Sequence, residues 1–164
     1  MQDPSDRPAV GKGRRAAGAL VAAQLLVAAV WCGAQWTVGY VVAPGLFAWA
    51  PDRVTAGMLA GRFFGVVGSI GVSAGLVLLA LTALRGRLRS AFAACTVAMW
   101  LCAVLLTLWI QPHAARLRAQ AGGVPVQGTP VAAEFGRWHA ISSSVYLVES
   151  LLGVGLLLSW RRQA

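Results

Sequence analysis

Four long apolar runs fill most of this chain, and they constrain its fold more than any other feature. From Ala16 to Val42 only Gln24, Gln35 and Thr37 interrupt the apolar residues. A helix needs about 20 apolar residues to cross hydrocarbon, and this run exceeds that. The second run begins near Val54, carries Arg62 in its first turns, and continues to Leu84. The third, Ser90 to Ile110, contains no charged residue, and the fourth runs from about Phe135 to Trp160. The expected fold is all-α: an integral membrane four-helix bundle with spans near residues 16–42, 63–84, 90–110 and 137–160.

Composition agrees with lipid as the main solvent. Charged residues make up 12% of the 164 positions and the mean hydropathy is +0.69. A soluble domain carries about twice that share of charge. The net charge of +9 would suggest nucleic acid on a soluble protein. Here the basic residues flank apolar runs, where they anchor helices at the headgroups, so the expected partner is the bilayer and not nucleic acid.

Residues 1–15 are polar, hold two prolines and end in Arg14-Arg15, which predicts a disordered tail. The first run is too long for the core of a cleaved signal peptide and reads as a retained anchor. Pro44 breaks that run, Pro51-Asp52-Arg53 makes a turn, and Arg85 to Arg89 forms a short basic loop. Pro112 ends the third run, and a polar loop with a short interfacial helix at 113–120 precedes the fourth. Residues 161–164 form a basic end.

Arginine and lysine counts set the expected orientation. Arg7, Lys12, Arg14, Arg15, Arg85, Arg87, Arg89, Arg161 and Arg162 fall on one side. Arg53, Arg62, Arg116, Arg118 and Arg137 fall on the other. The richer side faces the cytoplasm, which places both termini there in a plasma (inner) membrane. Tyr40, Trp49, Trp109 and Trp138 then form the outer aromatic belt and Trp160 marks the inner boundary.

Two patterns lie inside the spans. Gly57, Gly61 and Gly65 recur every fourth residue, with Gly68, Gly71 and Gly75 on nearly the same face. Small residues at this spacing permit close helix approach, either within the bundle or across a homo-oligomer seam. In the fourth span His139, Ser142, Ser143, Tyr146, Glu149, Ser150 and Gly153 recur at steps of three and four and share one face. Polar groups avoid lipid, so this face points inward, toward Gln24, Trp31 and Gln35 of the first span. An ionised Glu149 at mid-span is costly without a cation or strong donors. A neutral acid bonded to Ser, Tyr or Gln is one reading, and a proton or ion path is the other.

Metal chemistry has sparse support. His113 and His139 fall at the outer helix ends, where two imidazoles suit haem or another metal. Cys95 and Cys102 lie one heptad apart and offer soft sulfur for copper, although buried thiols more often pack as small hydrophobes. No phosphate-binding glycine loop, Cys-x-x-Cys or Gly-x-Ser-x-Gly occurs, and the chain reads as a non-enzyme.

The run Gly39-Tyr40-Val41-Val42-Ala43-Pro44-Gly45-Leu46-Phe47, followed by Ala56-Gly57 and Ala60-Gly61-Arg62-Phe63-Phe64, resembles the transmembrane protein 205-like family. Phe135-Gly136-Arg137-Trp138-His139-Ala140-Ile141-Ser142 is similar to the signature that opens that family's last helix. The resemblance implies a four-span membrane protein without established activity. It carries over to Pro44, Phe47, Gly57, Gly61, His139 and Ser142. Glu149 falls where a neutral polar residue is expected, so the resemblance gives it no role. The four-helix shape with outer histidines is similar, more distantly, to copper-resistance membrane proteins and haem-holding protoporphyrinogen oxidases.

Overall fold

A computed structural model describes residues 7–123, 125–126 and 128–160, with side chains from residue 14 onward. Its elements are α1 (Arg7–Thr37), a π-helical turn (Val38–Val42), α2 (Ala43–Trp49), α3 (Arg53–Leu84), α4 (Ala91–Leu105), a second π-helical turn (Leu106–Ile110), α5 (Gln111–Gln120) and α6 (Pro130–Ser159). No strand occurs among the described residues. Four helical stretches are long and apolar enough to cross a membrane: Arg14–Trp49, Arg53–Leu84, Ala91–Gln120 and Pro130–Ser159. The protein is a multi-pass membrane helical bundle.

Four expected boundaries move. The helix begins at Arg7, inside the expected 1–15 tail; Pro8 is tolerated in a first turn, where its missing N–H has no partner to lose. Residues 1–6 and 161–164 lie outside the described residues. Pro44 does not break the first span. The π-helical turn before it inserts an extra residue, with Ala43 N–H reaching Val38 O, so Pro44 falls in the first turn of α2. Pro112 repeats the device: Gln111 N–H reaches Leu106 O and Pro112 sits at the start of α5, carrying the third span on to Gln120. At the fourth span, Pro130 is the first helical residue and Thr129 caps it, accepting from Ala132 N at 3.2 Å.

The second and third spans are capped in the same way. Asp52 accepts from Thr55 N at 2.8 Å and from Thr55 Oγ1 at 2.7 Å. These bonds hold its carboxyl below the usual carboxylate range. Ser90 accepts from Ala93 N at 3.2 Å. Gly86, with φ +65°, supplies the left-handed residue that the short basic loop needs.

The spans pack in chain order, first on second, second on third and third on fourth, while the contact of the first with the fourth is slighter. The half of the bundle toward the termini, called inner by that position alone, is densely filled. Ala28, Trp31, Cys32, Ala74, Leu78, Phe92, Met99, Ala103 and Leu156 form one buried cluster. Below it, Gln24 is fully buried and donates to Thr82 Oγ1 at 2.8 Å, Thr82 donates to Leu78 O at 2.6 Å, and Arg85 donates to Gln24 Oε1. The outer half is hollow.

Candidate functional site

The hollow is a cavity of about 610 Å³ in the outer half of the bundle. Every span contributes: Gly39, Tyr40 and Phe47 from the first, Gly57, Gly61, Phe64 and Gly68 from the second, Leu106, Thr107, Ile110 and Arg118 from the third. The fourth lines it with Phe135, Trp138, His139, Ser142, Ser143, Tyr146 and Glu149. Both π-helical turns are in its wall, through Gly39 and Tyr40 in one and Leu106, Thr107 and Ile110 in the other. Such turns widen a helix locally and are frequent at functional sites.

The cavity has one polar wall and one apolar wall. The polar wall is the stripe of the fourth span, and burial increases along it. His139 and Ser143 are exposed, Ser142 and Tyr146 are half-buried, and Glu149 is 4% exposed. Facing them, Ala60, Phe64, Val67, Ala103, Leu106 and Ile110 are apolar. Arg53 and Arg118 stand near the loop end.

Glu149 lies at the base, beside the densely packed inner half. The Trp31 indole N–H is beside its carboxyl, yet Trp31 Nε1 is buried without a hydrogen bond of good geometry. Cys32, Cys102 and Tyr146 are close enough to feel its charge. One residue on, Ser150 accepts from Gln35 Nε2 at 3.4 Å, while Gln35 Oε1 is buried without a donor. Tyr146 donates to the backbone carbonyl of Gln35 and its ring lies where a Cβ on Gly39 would be. Among the described residues the one ion pair joins His113 and Glu134 at 3.5 Å, so no basic side chain there neutralises Glu149.

Arg118 forms part of the outer wall. It donates to Gly57 O at 3.0 Å, lies 5.7 Å from the Phe135 ring centroid, and packs where a Cβ on Gly61 would stand. On its other side is a shallower groove of about 540 Å³, lined by Gly57, Gly61, Gly65, Arg62 and Pro112. The glycine series therefore divides. A methyl placed on Gly57 or Gly65 would meet no atom within 4 Å, whereas one on Gly68, Gly71 or Gly75 would meet Thr107, Trp31 with Ala103, or Trp100. Close packing holds at Gly68, Gly71 and Gly75 and, against Arg118, at Gly61, whereas Gly57 and Gly65 face open space.

The candidate site residues thus separate. His139, Ser142, Ser143, Tyr146 and Glu149 share the cavity with Phe47, Gly57 and Gly61, and Gln35 sits behind its base. Pro44 acts at a distance, by fixing the end of the first π-helical turn. His113 does not line the cavity; it pairs with Glu134 and packs tilted against the Trp138 ring at 4.4 Å between centroids. The three cysteines are free, and no group of three or more His, Cys, Asp or Glu side chains converges among the described residues. The donors available to haem or copper are therefore isolated side chains. Sequence patterning missed Phe64, Thr107 and Arg118; none belongs to a periodic polar stripe, and only the cavity brings them together.

Residues 26–122 match the family described as a domain of unknown function (DUF4149). That stretch is more than half of the chain, and the protein belongs to this family. It covers three spans and ends before the fourth, so Glu149 lies beyond the matched region. No curated protein and no solved structure matches the chain.

Proposed function

We propose that this member of the DUF4149 family is a non-enzymatic membrane protein that binds a small solute in the cavity of its outer half. The observation that carries this reading is the asymmetry of the bundle. A chamber with one polar wall leads to a buried carboxylate, and the other half of the protein is sealed by Trp31, Leu78, Phe92, Met99 and Leu156. A chamber closed at one end suits uptake and release from one side better than passage through a monomer.

The likeness of the Gly39–Phe47 and Phe135–Ser142 motifs to the transmembrane protein 205-like family supports a common scaffold, with Pro44, Phe47, Gly57 and Gly61 shaping the chamber. The arginine distribution supports termini in the cytoplasm and a chamber that opens on the outer face of the plasma membrane. The groove along Gly57, Gly61 and Gly65 supports self-association as a secondary role, because small residues let a second helix approach.

Cysteine accessibility tests the reading. With Cys32, Cys95 and Cys102 replaced by alanine, Ser142→Cys should react with a charged, membrane-impermeant thiol reagent added from the loop side. Leu156→Cys, in the sealed half, should remain unreacted. Equal reactivity at both positions, or none at Ser142→Cys, would rule out a one-sided chamber.

A further inference from the structure

The chamber's lining and its unpaired carboxylate narrow the class of ligand, an inference that rests on the binding reading above. From Phe135 to Glu149 the fourth span rises about 21 Å at 1.5 Å per residue. The lining follows the span over that length, and a volume of about 610 Å³ has room for an elongated molecule.

The two ends of the chamber are in different electrostatic states. Arg118 donates to the Gly57 carbonyl and lies against the Phe135 ring, with its Nε buried and unpartnered, and Arg53 is exposed at the rim. Glu149 is 4% exposed at the base with the Trp31 indole beside it, and among the described residues no cation pairs with it. A buried carboxylate without a cation is a costly condition that a bound cationic donor relieves. An ammonium has three donors and no acceptor, whereas a hydroxyl has one donor and brings lone pairs of its own. Phe47, Phe64 and Phe135 line the apolar path that the rest of the molecule would follow.

We propose that the chamber takes an elongated aliphatic amine, with its ammonium head against Glu149 and its carbon chain along the apolar wall of the second and third spans. Binding is a salt-bridged hydrogen bond at the base of the chamber, with the chain's burial adding hydrophobic affinity.

The test compares octylammonium, 1-octanol and octanoate by calorimetry on the full chain in nanodiscs of zwitterionic lipid, with empty nanodiscs subtracted. Octylammonium should bind with a Kd at least tenfold below that of octanol. Glu149→Gln should raise the amine's Kd by tenfold or more and leave octanol unchanged. If Glu149→Gln does not fold, the wild-type ranking of the three ligands decides. Equal binding of amine and alcohol, no saturable amine binding, or a preference for octanoate that disappears in Arg118→Gln would each overturn the assignment. Octanol binding that Ser142→Trp blocks, in the absence of any amine preference, would retain the chamber and discard the ammonium. Binding insensitive to Ser142→Trp would count against the chamber itself.

Discussion

Tyr146 donates its hydroxyl hydrogen to the backbone carbonyl of Gln35, joining the fourth span to the first one turn above Glu149. Gly39 makes that contact possible, since a side chain there would overlap the Tyr146 ring. The bond joins two spans whose contact is slight, and it lies between the hollow half of the bundle and the filled half.

Removing the hydroxyl should weaken this junction modestly. Tyr146→Phe is expected to cost about 0.6 kcal/mol, the typical worth of a hydrogen bond between membrane helices. Gly39→Ala should cost more, because a whole ring must move, and Gly57→Ala or Gly65→Ala should cost little, since a methyl there meets nothing within 4 Å. Unfolding midpoints of the four variants in one detergent would check the order.

The Gln24, Thr82 and Arg85 chain should matter to stability more than any single polar contact of the outer half. Gln24→Leu removes the donor to Thr82 Oγ1, which keeps its bond to Leu78 O, and takes an acceptor from Arg85. A lost hydrogen bond to a charged group costs about 1.5–3 kcal/mol. Denaturation of Gln24→Leu beside Gln24→Glu, which keeps an acceptor for Arg85, would show the larger loss in the leucine variant.

Four spans and an inward polar stripe were legible in the sequence, because hydropathy and a repeat of three and four residues report directly on lipid and on helix faces. The fates of Pro44 and Pro112 were not. Read locally, proline ends a helix, and only the backbone shows that an inserted residue moves each proline into a permissive first turn. The glycine series was half legible, since spacing predicts that backbones can approach but not whether a partner or empty space meets them. Thr107 and Arg118 had no pattern to announce them; they matter because the third span continues past Pro112.

The two prolines should therefore shape the chamber. Pro44→Ala and Pro112→Ala restore the N–H that each π-helical turn avoids needing, and should favour ordinary α-helical register over Val38–Val42 and Leu106–Ile110. Register change rotates Tyr40 and Thr107 out of the wall, so thiol labelling at Ser142→Cys should fall several-fold in the double variant. Unchanged labelling would separate the prolines from the cavity.

Asp52 sets a pH dependence at the loop end. Its carboxyl is held below the ordinary value by the Thr55 N–H and hydroxyl, so its cap on the second span is fully present above the unfolded value of about 3.9. The cap is lost as pH falls through the lower, folded value. Amide exchange at Thr55 and Ala56 should rise on acidification below that point, and Asp52→Asn, which keeps an uncharged acceptor, should remove the dependence.

Labelling of Glu149 tests the central claim most directly. A water-soluble carbodiimide with an amine nucleophile, added from the loop side to protein in nanodiscs, should modify Glu149, with Glu134 as the exposed control. Octylammonium should slow the modification. If Glu149 reacts only with a lipid-soluble carbodiimide, or with neither reagent while Glu134 is labelled, then no aqueous chamber leads to that carboxylate and the account is contradicted.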